Sequence, residues 1–228
     1  EDTKLALTSI SDDSFVVEVK STYAPEMLTA FIKLNGATVG VVANRTKIYD
    51  EEMSVVAEFE PKLTAKGCDK AAEFVFFCDN FSIPVLTLTN TNGFKTCKCQ
   101  EKNGAKNTAK LTFAFANATV PKVNVLIGEA YGSAYVTMNS KSIGADMVYA
   151  LPNAKVGMMD AESAVKIMYA DEIAEDAGVL AEKTAEYQAL QGDVAKAASR
   201  GYVDSIIQPA DVRKYVIAAF EMLYTKRQ

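Results

Sequence analysis

The chain has no histidine and no tryptophan, only four cysteines and six prolines, and no uninterrupted apolar run long enough to span a bilayer. The missing histidine excludes the most. Without imidazole there is no Ser-His-Asp or Cys-His nucleophile, no histidine-bearing zinc site and no histidine general base. Chemistry at neutral pH must then rest on carboxylates, Lys, Tyr, Cys, backbone amides or the reactants themselves. Cys68, Cys78, Cys97 and Cys99 are too few and too scattered for a disulfide scaffold. No histidine or second cysteine pair completes Cys97-Lys98-Cys99 as a metal centre, so no metal is expected. Basic residues number 24 against 29 acidic ones, a net charge of −5, and no Lys/Arg run marks a basic stripe. That balance argues against nucleic acid as a partner. Residues 1–13 show neither the basic start nor the apolar stretch of a signal peptide, so a soluble cytoplasmic protein without a membrane span is expected.

What is present suffices for one core: 228 residues, 49% of them hydrophobic. A hairpin is expected from 31–34 and 39–43 around Asn35-Gly36, with Ala37-Thr38 lengthening the link into a short loop. The stretch 44–66 reads as irregular. Residues 69–81 read as a helix whose apolar face is Phe74, Phe77, Cys78 and Phe81. A strand at 85–89, a turn at 90–94 and a mobile polar loop at 95–105 follow, then a helix at 106–118 and a strand at 122–127. A glycine turn over 128–132 precedes a helix at 133–140 and a strand at 146–151. Helices are expected at 160–170, 179–190 and 193–200, a strand at 202–207, and a last helix from Pro209 to about residue 225. Strands alternating with helices between Pro and Gly punctuation imply an α/β architecture in a single domain, 1–228.

The chemically informative unit runs from Lys122 to Tyr135: an apolar strand, Gly128-Glu-Ala-Tyr-Gly132, then Ser133-Ala134-Tyr135 opening a helix. A tight turn there aims the first backbone amides of the helix at one spot, with no partners inside the helix and the helix dipole behind them. An oxygen gaining negative charge would be stabilised at that spot without any ionisable side chain. A plain packing role for the glycines explains the same pattern. Glu129, Asp146 and Asp160, near turns, read better as caps or solvated surface groups than as acid–base catalysts.

The run from Gly128 to Asp146 (GEAYGSAYVTMNSKSIGAD) resembles the C-terminal, biotin-side domain of the acyl-CoA carboxyltransferase family. That family includes propionyl-CoA carboxylase β-type chains and biotin-dependent acyl-CoA decarboxylases. Other stretches agree in order: Tyr23-Ala-Pro25, Leu34-Asn-Gly36, Val41-Val-Ala-Asn44 and the run from Phe74 to Leu88 (FVFFCDNFSIPVLTL). Ala118-Thr-Val-Pro-Lys122, Arg200-Gly-Tyr-Val-Asp204 and the tail from Glu221 to Arg227 complete the series. The resemblance implies a crotonase-like spiral of ββα units and carboxyl transfer between carboxybiotin and an acyl-CoA. It implies half an active site, completed by an N-terminal carboxyltransferase half or subunit, with biotin arriving on a biotin carboxyl carrier protein and the whole forming an oligomer.

Carried over residue by residue, the amides of Ser133 and Ala134 would cradle the biotin ureido oxygen. Tyr131, Gly132 and Tyr135 would shape that wall, Gly93 and Phe94 would form the loop beside biotin, and Val136 would line the acyl pocket. The sequence also departs from the family pattern. Ser133 replaces the usual second glycine, Asn90-Thr-Asn-Gly-Phe94 stands for Asp-Val-Pro-Gly-Phe, and Met159-Asp-Ala-Glu-Ser163 replaces a glycine-rich turn. Serine offers its amide as well as glycine does, unless the position needs a positive φ. Ser133 and the 90–94 change suggest one rival reading, a non-catalytic assembly domain. Another rival, a stand-alone crotonase-type CoA hydrolase or hydratase, is weakened because no paired catalytic carboxylates are evident.

Overall fold

The computed structural model describes residues 2–50, 52–176 and 178–226; Arg227, at the end of the tail motif, and the Cys99 side chain lie outside them. Helix α1 (Thr3–Ile10) leads through β1 (Val16–Glu18) into the hairpin β2 (Met27–Leu34) and β3 (Ala37–Asn44). Leu34 pairs with Ala37, so the link is a strict two-residue turn rather than the short loop expected. Asn35 (φ 52°) and Gly36 (φ 79°) both adopt the left-handed conformation that matches the twist of a hairpin. The Asp12 carboxylate clamps the turn, accepting the amides of Gly36 at 2.7 Å and Asn35 at 3.2 Å. The segment expected to be irregular carries a small separate ribbon, β4 (Lys47–Tyr49) and β5 (Val55–Glu58).

Next come α2 (Ala65–Asn80), β6 (Val85–Thr91), α3 (Lys98–Asn117), β7 (Lys122–Tyr131) and the short α4 (Gly132–Thr137). Helix α2 starts four residues earlier than expected because the Thr64 hydroxyl accepts the Gly67 amide at 2.9 Å and caps it. Its buried face is also rotated. Cys68, Ala71, Ala72, Val75 and Cys78 face inward, while Phe77 and Phe81 stay exposed and stack on each other at 4.6 Å. The expected loop 95–105 is helical from Lys98. Polar bonds rather than apolar spacing fix it: Gln100 accepts the Ala65 amide at 2.6 Å, and Asn107 donates to the Ala65 carbonyl at 2.9 Å.

The remaining elements are β8 (Met147–Ala150), β9 (Lys155–Gly157), α5 (Ala161–Met168), α6 (Ala170–Glu175), α7 (Gly178–Gln191), α8 (Val194–Ser199), β10 (Ser205–Ile206) and α9 (Val212–Met222). The expected helix 160–170 thus ends at Met168, and the expected strand 202–207 shrinks to two residues. The sheet runs β1-β2-β3-β6-β7-β8-β10, antiparallel through the hairpin and parallel from β3 onward, with β9 also pairing with β7. Its central strands are covered on both faces, which accounts for their continuous apolar character. On one face Leu86, Leu88, Val123 and Val125 pack with Val212, Val216 and Ala219 of α9. On the other, Val42 and Val85 meet α2, α3 and α4 through Val75, Leu111, Phe115 and Ala134.

Candidate active site at the carboxyl ends of strands six and seven

Strands β6 and β7 are parallel neighbours, and Thr91 is in register with Ala130. Two residues further on, the chain leaves the sheet at Gly93 in one case and Gly132 in the other. Adjacent strands lie about 5 Å apart, so both exits open at the same edge of the sheet. In α/β sheets, that carboxyl edge is where ligands bind.

The expected glycine turn over 128–132 is not a turn. Residues Glu129, Ala130 and Tyr131 remain in β7 and pair with Lys155, Val156 and Gly157 of β9. Gly128 serves another purpose: a Cβ there would lie 2.6 Å from the Asn90 side-chain oxygen, which accepts the Glu129 amide at 2.9 Å. The change of direction is compressed into Gly132, whose φ is +59° and where a Cβ would meet the Met158 carbonyl oxygen at 2.8 Å. Only glycine satisfies both conditions. Ser133 lies outside the left-handed region, so the serine that replaces the family's second glycine keeps its amide in place without backbone strain. No side chain caps the start of α4, and its first amides lack partners within the helix.

The far end of α4 is fixed by a buried polar network. The Asn124 amide group donates to the carbonyls of Met138 (3.0 Å) and Asn139 (2.9 Å), and its oxygen accepts the Thr89 hydroxyl at 2.8 Å. Asn139, in the left-handed conformation (φ 53°), donates to the Thr87 hydroxyl at 3.1 Å. These bonds tie α4 to the middle of β6 and β7, which holds its first turn in place. The sequence named Asn90 only as the start of a departing motif and gave Asn124 and Asn139 no role; for Asn124, an asparagine within an apolar strand was the available signal.

Around this turn Ser133 is exposed and Ala134 is buried against the α2–α3 cluster. Tyr131 is 3% exposed, and burial pushes its hydroxyl pKa up to about 12. Tyr135, 7% exposed, projects into a separate cluster with Val148, Val156 and Val203. Its hydroxyl has no hydrogen-bond partner among the described residues and is likewise pushed up to about 12 by burial. Val136 is half-buried. The structure therefore gathers Gly132, Ser133 and Ala134 at one turn, and sends the Tyr135 ring into the core.

The second exit is held by backbone pairing. The Gly93 carbonyl accepts the Leu63 amide at 2.8 Å, and the Lys95 amide donates to the Leu63 carbonyl at 2.9 Å. Gly93 has a φ of 150° and faces open space where a Cβ would stand. Phe94 packs on the α2–α3 cluster and begins a groove of about 810 Å3 that continues along α3. The three carboxylates have structural partners or none. Asp160 caps α5 by accepting the Ser163 amide at 2.9 Å, as a cap reading anticipates. Asp146 accepts the Lys122 amide and the Lys226 ammonium, both at 2.8 Å, and Glu129 is half-buried on β7. Among the described residues, no three His, Cys, Asp or Glu side chains gather where a metal ion could sit, and no helix is long and apolar enough to cross a membrane.

The family model for the carboxyl transferase domain matches residues 2–228. The chain belongs to that family. This carboxyl transferase domain is 40% identical over 231 residues to the methylmalonyl-CoA carboxyltransferase 12S subunit of Propionibacterium freudenreichii subsp. shermanii, covering 100% of this chain and 42% of that protein. It is also 40% identical to a putative propionyl-CoA carboxylase beta chain of Bacillus subtilis, covering 100% of this chain and 44% of that one. The domain superposes on the transcarboxylase 12S crystal structure, a hexamer with methylmalonyl-coenzyme A and methylmalonic acid bound, with a TM-score of 0.89 at 38% identity; all of this chain and 42% of that one are covered. The carboxyl transferase domain therefore spans less than half the length of these relatives, and the crotonase-like α/β fold expected from the sequence is the fold it has.

Proposed function

We propose that this chain is the biotin-side half of an acyl-CoA carboxyltransferase or decarboxylase, acting as one domain over 1–228 in the cytoplasm. In this reading it moves a carboxyl group between carrier-borne biotin and an acyl-CoA. The observation that carries the reading is the pair of bare backbone exits, Gly93 and Gly132-Ser133-Ala134, side by side at the carboxyl ends of β6 and β7. A planar ureido ring suits such a place. One wall has a glycine with open space beyond it, and the other offers amides that no side chain caps. Biotin, when bound, supplies the carboxyl group and its acceptor nitrogen.

The chain's own residues bind and orient. The amides of Ser133 and Ala134 donate to the ureido oxygen and favour any negative charge that develops there. One such donor is worth roughly 3–4 kcal/mol of barrier. Gly132 sets the direction of those amides, Phe94 flanks the ring, and Tyr131 supplies a dry wall whose hydroxyl stays protonated at all physiological pH values. Val136 faces the acyl group. No residue of this half needs to exchange a proton, which accommodates a chain without histidine. The acyl-CoA is held by an N-terminal half or subunit across an interface, within an oligomer. Short acyl groups of the methylmalonyl and propionyl kind are the first substrates to try, since the named relatives act on them.

The test is reconstitution. Mixed with its acyl-CoA half, the chain is expected to decarboxylate methylmalonyl-CoA only when biotin is added. Turnover that persists without biotin would favour a crotonase-type hydrolase or hydratase. A stable assembly with no turnover would favour a non-catalytic scaffold.

A further inference from the structure

The sequence contains no contiguous run of basic residues, yet folding creates a basic stripe. Segment 95–106 carries four lysines against one acidic residue, Glu101, in a chain whose net charge is −5. Lys98, Lys102 and Lys106 stand four residues apart on α3, so they share one face and extend along about 12 Å of helix. Lys95, ahead of the helix start, lines the groove beside it. All four are exposed, and none makes an ion pair among the described residues. Elsewhere the exposed Lys166 and the half-buried Lys47 and Lys183 pair with a glutamate, whereas Lys66, Lys155, Lys196 and Lys214 are exposed and likewise make no ion pair among the described residues. What sets Lys98, Lys102 and Lys106 apart is that they share one helix face.

Beside this stripe lies the groove that begins at Phe94, bordered by Cys97, Thr112 and the exposed ring of Phe113. A row of unneutralised positive charge next to an apolar groove is complementary to an acidic protein surface that carries an apolar side chain. A small polyphosphate presents its charge at one point and has no use for a row of this length. Duplex nucleic acid is disfavoured by the acidity of the rest of the chain. The groove also starts at Phe94, next to the exit at Gly93, where the carrier must deliver its prosthetic group.

We propose that the Lys95–Lys98–Lys102–Lys106 face and the adjoining groove dock an acidic carrier domain, so that its biotin reaches the edge formed by Gly93 and Gly132. This rests on the biotin-side reading above for the identity of the carrier, while the charge complementarity stands on α3 alone. Electrostatic docking of this kind sets encounter and affinity, and leaves the chemical step untouched.

The experiment uses the complex of this chain with its acyl-CoA half and two probes: the carrier domain without biotin, for binding, and free biotin, for turnover. Wild-type affinity for the carrier is expected to fall steeply with added salt. The double variant Lys98→Glu/Lys102→Glu should weaken it by about tenfold or more, and Lys98→Gln/Lys102→Gln by less. Turnover with free biotin and thermal stability should stay at the wild-type level, because these side chains are exposed and unpaired. Phe113→Ala should weaken carrier binding without changing the salt dependence. Unchanged carrier affinity in the charge-reversed variant overturns the docking proposal and leaves the biotin-side reading standing. A raised KM for acyl-CoA with normal carrier binding also overturns it and assigns the lysines to the CoA phosphates. No turnover with free biotin in the wild-type complex overturns the biotin-side reading, while carrier binding still decides the fate of the docking face.

Discussion

Two neighbouring regions border the candidate site and are built on opposite principles. In the β6–β7–α4 centre, Thr87, Thr89, Asn124 and the Asn139 amide nitrogen are buried and bonded to one another or to backbone, the Asn139 side-chain oxygen alone of this group having no partner among the described residues. On the outer face of α3 and just before it, Lys95, Lys98, Lys102 and Lys106 are exposed and make no ion pair among the described residues. The centre spends polar groups on fixing geometry, since a buried polar atom without its partner is costly. The α3 face leaves its charges unsatisfied and therefore free to recognise something. Substitutions should sort accordingly: large losses of stability in the centre, and losses of binding alone on α3.

The largest effect is expected from Asn124→Ala. It removes the Asn139 carbonyl's side-chain donor and leaves the Met138 carbonyl and the Thr89 hydroxyl with only their mutual 3.4 Å bond in place of the stronger ones to Asn124. Urea unfolding should show a loss of about 2–4 kcal/mol. Gly132→Ala comes next, at about 2 kcal/mol, because alanine must adopt a left-handed φ with its Cβ against the Met158 oxygen. Ser133→Gly, one residue on, should be nearly neutral by the same measurement.

A smaller effect tests a buried charge on α2. The Lys70 ammonium is buried and, among the described residues, donates a single bond, to the Ala24 carbonyl at 3.3 Å. Burial pushes its pKa down from 10.5 to about 8. The unfolded chain therefore holds a proton between pH 8 and 10.5 that the folded one has released, so this residue's contribution to stability grows as pH rises through that window. Relative to Lys70→Met, the wild type should gain about 1–2 kcal/mol between pH 7.5 and 10 in paired unfolding titrations. An unchanged difference would place the ammonium in contact with solvent. The charge-reversed lysines on α3 should show the smallest stability change, within about 0.5 kcal/mol, despite their effect on carrier binding.

Much of the fold was legible because its strands are apolar and bounded by proline and glycine. The α2–β6, α3–β7 and β7–α4 units were all placed from those signals. The first turns of α3 were not, because Gln100 and Asn107 secure them through long-range polar bonds that leave no apolar period. Gly128 looked like a turn residue, since the sequence cannot reveal that the Asn90 side chain occupies the space a Cβ would take. Phe77 and Phe81 looked like core and are surface, because the smaller Ala71, Ala72 and Val75 fit under the helix. At the candidate site, a family motif pointed to Gly93, Gly132, Ser133 and Ala134, and the structure adds their backbone geometry. Within Gly132-Ser133-Ala134 the positive φ falls on Gly132 and not on Ser133, so Ser133 retains its amide.

That backbone amide is the centre of the account, and proline at position 133 removes it while fitting the first turn of a helix. In the reconstituted complex, Ser133→Pro should lower kcat for biotin-dependent decarboxylation of methylmalonyl-CoA by about 10²–10³-fold, with Ser133→Gly close to wild type and both variants folded by circular dichroism. A folded Ser133→Pro variant with undiminished kcat would contradict the assignment of oxygen stabilisation to this turn.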